Sequence, residues 1–394
     1  MYSHRVVVKA PSIPVLVVLT ALMSLGMHTV LPAIPVIAHD FGAQLSTIQL
    51  TVPLYMGAVA IAQLVYGPLS DRFGRKPPLL VGLCIFFAGS LICALAPTTP
   101  VLLVGRIVQG AGACVGMVLG RAMVRDVYSG DRAVTVLAYV AMAMMAIPGL
   151  APIVGGVMVP TLGWRSVFFG CAIAVSGLLV VAWRLNETHH NRTTLPNAGA
   201  MLMDFGHLIR LREFTAPVLA LALPNCGFWA FISISPALLN QQLHIPPQEF
   251  GFYFLPLPIA YFVGSFLSTR VAPRLGGQRT ALLGTSVSTI VASILLTLTL
   301  TTKLSALALF LPIAVMNAMI AMTIPSLQLR ALSADTRLVG SAAGLMGFAQ
   351  MACGALATLL ISRLYDGTAL PAAAIMVTAS ASAVGLLLYA RKRA

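Results

Sequence analysis

Acidic residues are scarce in this 394-residue chain. Ten aspartates and glutamates stand against 24 lysines and arginines, and charged residues of both signs make up only 9% of the whole. A soluble globular domain carries about 25%, so the composition excludes one. All ten acids, Asp40, Asp71, Asp126, Asp131, Glu187, Asp204, Glu213, Glu249, Asp335 and Asp366, fall in polar breaks or at the ends of apolar runs. No run has a carboxylate in its interior. The six cysteines have no C-x-x-C spacing and lie within apolar runs, where they read as small core hydrophobes and not as disulfides or metal ligands. H-E-x-x-H, G-x-S-x-G and nucleotide-binding loops are also missing, which argues against a membrane-embedded enzyme. The runs lack the period-2 alternation of an outer-membrane barrel.

What is there instead is apolar length. Hydrophobic residues make up 59% of the chain, in runs of about 20 residues, the span of a membrane helix. Twelve spans are expected, near residues 12–36, 47–68, 78–96, 100–124, 133–159 and 166–184, then 214–238, 250–271, 280–300, 305–329, 339–362 and 371–389. The basic N-terminus followed by an apolar stretch imitates a signal peptide. The stretch continues to about residue 36 without an A-x-A site, so it reads as an uncleaved first helix. The chain divides into an N-terminal bundle (1–184), a linker (185–212) and a C-terminal bundle (213–394). Within the linker, Leu202, Phe205 and Ile209 stand at helical spacing and predict a short amphipathic surface helix.

The net charge of +14 is a topology signal, with no nucleic acid needed to explain it. With the N-terminus inside, only Arg165, Lys303 and Arg363 fall near the outside and Arg106 within a helix; every other lysine and arginine is cytoplasmic. The expected location is a bacterial inner membrane, with both termini cytoplasmic. GRKPPLLVG (Gly74–Gly82) also aligns with GGQRTALLG (Gly276–Gly284), each in the turn between the second and third helices of its half. This faint repeat suggests two units related by an axis along the membrane normal.

Three segments carry the mechanism. In GPLSDRFGRKPPLL, Gly67 permits close helix approach and Gly74 a tight turn, while Arg72, Arg75 and Lys76 hold the turn inside. Asp71, the lone acid there, is placed to pair with Arg121 or Arg125 or to face a neighbouring helix N-terminus. In VGRIVQGAGACVG, Arg106 lies about two turns inside the fourth span, followed by Gly112, Gly116 and Gly120 at packing intervals. In PGLAPIVGG, Pro148, Pro152, Gly155 and Gly156 should bend or loosen the fifth helix into a pivot.

The first segment resembles the signature loop of the major facilitator superfamily, the second its R-x-x-Q-G motif, and the third the G-P-x-x-G-G motif of drug:proton antiporters, with Ala151 in place of the first glycine. LPAIP, QLVYGPLSDRFGRKP and RAMVRD narrow the likeness to the bicyclomycin- and chloramphenicol-resistance branch. The resemblance implies an all-α fold of twelve helices in two six-helix halves. It also implies alternating access, with Asp71 facing the eleventh helix near Val339. The expected activity is export of small lipophilic compounds by proton antiport, with no cofactor beyond the proton gradient. The expected partners are substrate, protons and the lipid bilayer, around a monomer. An alternative is a permease for a metabolite such as a sugar or amino acid.

That branch usually carries an aspartate just before L-P-A of the first helix. Here the position is His28. With no carboxylate inside any run, His28 is the remaining titratable group near the bilayer midplane, a candidate proton carrier with Arg106 beside it and Asp40 as second choice. The same histidine is open to two other readings, a hydrogen bond to substrate and a neutral packing role. Polar, aromatic and methionine residues expected around a substrate cavity are Tyr55, Gln63, Met142, Met145, Asn225, Phe228, Trp229, Tyr253, Tyr261, Asn317 and Gln350.

Overall fold

The computed structural model describes residues 11–128, 130–188, 198–246, 249–301, 305–335 and 337–391, side chains at 125, 130–135, 137, 138, 141–143, 145, 146, 198, 339 and 391 excepted. Among these the chain is helical, and eleven helical segments are long and apolar enough to cross a membrane, with Ile147–Leu162 a shorter apolar stretch. Counting that stretch, twelve segments form two six-helix halves.

The first half opens with α1 (Ile13–His28), a 3-10 turn (Leu31–Ala33) and α2 (Ile34–Asp40). The sequence pattern predicts one continuous helix here. Pro32 has no N–H to offer the carbonyl four residues back, and Pro35 repeats the defect one turn on, so the helix breaks. The second span is likewise split into α3 (Leu45–Gln49) and α4 (Thr51–Phe73), followed by α5 (Lys76–Ala94), α6 (Thr99–Val127), α7 (Gly130–Leu162) and α8 (Arg165–Arg184). The expected pivot, α7, remains one helix through Pro148, Pro152 and Pro160.

The predicted linker falls partly on 189–197, which lie outside the described residues. Its helix, α9 (Ala198–Arg210), turns Leu208 and Phe205 inward and leaves Leu202, Met203 and Ile209 exposed. An exposed apolar edge on a short helix suits the membrane surface. Asp335 lies 3.4 Å from His207 Nε2 of this helix and pairs with Arg337 (3.0 Å).

The second half comprises α10 (Arg212–Ala237), closed by a π-turn (Leu238–Gln242), α11 (Phe250–Phe254), α12 (Pro256–Leu275), α13 (Gly277–Thr301), α14 (Ala306–Leu332), α15 (Val339–Leu364) and α16 (Leu370–Arg391). The repeat seen in sequence has a conformational counterpart. Gly74 ends α4 at φ +91° and Gly276 ends α12 at φ +78°, a backbone region that L side chains rarely adopt.

The halves meet along two seams. One packs α4 on α15, with Gly347 against the Gln63 side chain. The other packs α7 on α11 and α12, with Gly149 against Pro258. At the face opposite the basic turns, α2 and the 3-10 turn also touch α10, and α3 touches α15. Near the basic face, among the described residues, α6 and α14 are at most weakly packed on one another, and Arg121 of α6 is exposed. The space between the halves thus closes toward one face and opens toward the basic one.

Candidate functional site: the bend of α1 and the basic turn

Two helices, α4 and α6, bond to α1 just before its break. The Tyr55 hydroxyl of α4 donates to Met23 O (2.9 Å), Arg106 Nη1 of α6 donates to Gly26 O (2.8 Å), and His28 bonds back through Nδ1 to Ser24 O (2.8 Å). A carbonyl can only accept, so Nδ1 carries the proton and Nε2 is left as a lone pair. No bond to Nε2 occurs among the described residues. The imidazole lies across the seam from Trp229 of α10, ring centroids 5.7 Å apart, and Trp229 in turn packs edge-on against Phe228. His28 is therefore a contact between the two halves, on the closed side.

Arg106 reaches the same stretch of α1 from within the first half. It is fully buried inside the first half, among partners that all belong to that half. Nε donates to Thr51 O (3.2 Å), Nη1 also reaches Gln109 Oε1, and the guanidinium stacks 4.2 Å over the Tyr55 ring. Gln109 passes the network on to Ser90 (2.8 Å). A buried charge costs several kcal/mol unless dipoles replace its water. The bends of the first two spans expose the carbonyls that do so, and an aromatic face adds about 0.5–2 kcal/mol. Nη2 has no partner. Asp40 is also remote from the interior. It accepts from Trp164 Nε1 (2.8 Å) and pairs with Arg165 (3.3 Å), half-exposed at the closed face, where it ties α2 to α8.

The basic turn forms a second cluster. Asp71 pairs with Arg75 in its own turn (2.5 Å); of its expected partners, the side chains of Arg125 and of Val339 at the start of α15 lie outside the described residues. Arg75 carries the link onward to Asp126 of α6 (2.8 Å) and donates to Ser70 (2.7 Å). Glu187, after α8, accepts from the backbone N–H groups of Arg75 (2.7 Å) and Lys76 (3.0 Å) and so caps α5, while Thr188 donates to Asp126 (3.4 Å). Gly74 sits against the Glu187 carboxylate. Arg72 is exposed and Gly67 half-buried.

In α7, Pro152, Gly155 and Gly156 are buried, and Gly155 abuts the Thr29 carbonyl at the break of α1. Of the expected cavity residues, Phe228 and Trp229 join His28, and Tyr261 of α12 is within electrostatic reach of Arg121. Gln63 is buried in the α4–α15 seam, its Nε2 without a partner among the described residues. Tyr55 and Asn317 are instead internal ties of single halves, Asn317 donating to Leu257 O (2.8 Å). Asn225 and Gln350 bond their own helices, at Leu221 O and Met346 O, and Tyr253 packs on Phe310. The side chains of Met142 and Met145 lie outside the described residues. Gln109, Asp126 and Glu187 were not singled out as site residues from sequence, although VGRIVQGAGACVG contains the first and RAMVRD the second.

The model of the Major Facilitator Superfamily matches residues 16–358. The chain belongs to the major facilitator superfamily. It is accordingly a multi-pass membrane transporter and not an enzyme. The MFS-type transporter YdgK of Bacillus subtilis (strain 168) is 31% identical over 91% of this chain and 90% of its own. A chloramphenicol resistance protein of Pseudomonas aeruginosa is 29% identical over 94% and 88%. The fold superposes on a solved D-xylose–proton symporter with a TM-score of 0.75, covering 95% of this chain and 96% of that one at 16% identity. Resistance proteins among the relatives agree with the branch that the motifs resemble.

Proposed function

We propose that this facilitator exports small lipophilic compounds from the cytoplasm across a bacterial inner membrane, exchanging them for protons by alternating access. The basic face is then cytoplasmic, and the chain stands inward-open. One observation carries the coupling: His28, a histidine inside the first spanning segment, sits at the closed contact between the halves, Nδ1 committed to Ser24 O and Nε2 without a partner among the described residues. Protonation at Nε2 would place a charge against Trp229 at the contact that must part for the outward-open state. A ligand of one state shifts the balance between the two, and here the proton is that ligand. The relative named for chloramphenicol resistance supports the direction and substrate type.

The test is drug-susceptibility profiling of an efflux-deficient host with and without the protein, paired with pH-jump export in inverted vesicles. Wild type should lower susceptibility and respond to the imposed pH gradient; His28→Ala should abolish the response. Unaltered proton dependence in His28→Ala would remove His28 from the mechanism. A metabolite permease, the competing reading, shares the fold of the xylose symporter. It predicts solute-dependent growth and an unchanged drug profile.

A further inference from the structure

Arg121, unlike the buried His28 and Arg106, is exposed. This residue lies six positions before the end of α6, roughly 9 Å in from the basic end at 1.5 Å per residue. It is exposed, yet it lies among helices of both halves. Its Nη2 reaches Met144 Sδ of α7 (3.5 Å), and the Tyr261 hydroxyl of α12 lies across the seam within electrostatic reach. Thioether sulfur is a weak acceptor and a tyrosine hydroxyl is neutral, so neither balances a guanidinium. No carboxylate pairs with Arg121 among the described residues. The acid five residues on, Asp126, is held by Arg75 and Thr188. Nor does any spanning interior contain an aspartate or glutamate that would attract a cation.

We propose that Arg121, facing Tyr261, selects the charge of the transported compound, and that the substrate class is anionic and neutral lipophiles, with lipophilic cations rejected. The assignment rests on the export reading above. A fixed positive charge in a partly dehydrated cleft attracts an anion and repels a cation far more strongly than it would in water. The delocalised guanidinium, less strongly hydrated than an ammonium, also accommodates large, soft anions.

Tetraphenylborate and tetraphenylphosphonium, nearly equal in size and opposite in charge, are the probes. Binding is measured to the whole protein in nanodiscs of zwitterionic lipid and corrected against empty nanodiscs. Wild type should bind the borate at least about tenfold more tightly, a difference of about 1.4 kcal/mol. Arg121→Lys should keep the preference, Arg121→Gln lose it and Arg121→Glu invert it. Equal binding of both ions by wild type would overturn the assignment, as would a borate preference that persists in Arg121→Gln. The same ions, with chloramphenicol as neutral probe, are then followed in inverted vesicles. Export of borate and phosphonium at equal rates refutes the charge selection alone. Absence of any export, with the binding preference intact, refutes the export reading alone.

Discussion

Replacing Gly155 by alanine adds one methyl group at the point where α7 crosses the break of α1. An ideal Cβ there would lie 3.1 Å from the carbonyl carbon and 3.4 Å from the Cα of Thr29, with the carbonyl oxygen closer still. The obstacle is backbone, so no rotamer change relieves it; α7 must move away or the bend of α1 must shift. Overpacking a filled interior typically costs about 1–3 kcal/mol, and a rigid obstacle puts this site at the upper end. Alanine's better helix propensity returns about 1 kcal/mol, leaving a net loss of about 2 kcal/mol. Gly385 of α16 is the control, because nothing lies within 4 Å of its added Cβ. There the same substitution should gain about 0.5–1 kcal/mol. Thermal unfolding in detergent, followed by tryptophan fluorescence, should therefore lower the midpoint for Gly155→Ala and hold or raise it for Gly385→Ala. Equal or raised midpoints for both would refute the close-packing argument. If α7 is also the pivot, Gly155→Leu should slow exchange between inward- and outward-open states more than it weakens binding, as read by transport rate against binding affinity.

Glu187→Gln should lower thermal stability by about 1 kcal/mol, the usual scale for loss of a helix cap, since its carboxylate accepts two N–H groups at the start of α5; an unchanged melting curve would mean that solvent caps the helix as well. Asp71→Asn should impair transport without preventing membrane insertion, because it loosens the Asp71–Arg75–Asp126 chain; wild-type rates in reconstituted vesicles would contradict this. Beside α9, the Arg337 guanidinium and backbone hold the Asp335 carboxyl down to about 2, with His207 adding to the effect. An unfolded aspartate titrates near 3.9, so the native site binds its proton less readily. The stabilisation is complete above about pH 4 and lost as pH falls through 2, and Asp335→Asn should remove that acid-dependent step from a pH series of melting temperatures. A step that survives the substitution would assign it to another carboxylate.

Much of this molecule was legible in the chain because a membrane writes its constraints locally. A lipid interior forces every spanning backbone into helices and tolerates few charges, so the apolar runs, the basic turns and the repeat of Gly74 with Gly276 could be read without any contact map. The proline break of α1 belongs to the same class. Both prolines stand in the quoted segment, and their chemistry acts on the next turn alone.

Tertiary structure alone decided what those residues face. Arg106 and Arg121 look alike in a sequence, fifteen positions apart on one helix, yet one is enclosed by carbonyls of the first half and the other opens on the seam. Periodicity gives a residue's face on its own helix but not which helix lies opposite. Tyr55 and Asn317 carry the same ambiguity. Each bears a polar group that could line a cavity, and each is consumed by a carbonyl that only a bend or a neighbouring helix makes available. Glu187 is the furthest case. It lies 112 positions from the N–H of Arg75 that it accepts, a distance over which sequence pattern conveys nothing and only the folding of α8 back beside the basic turn brings donor and acceptor together.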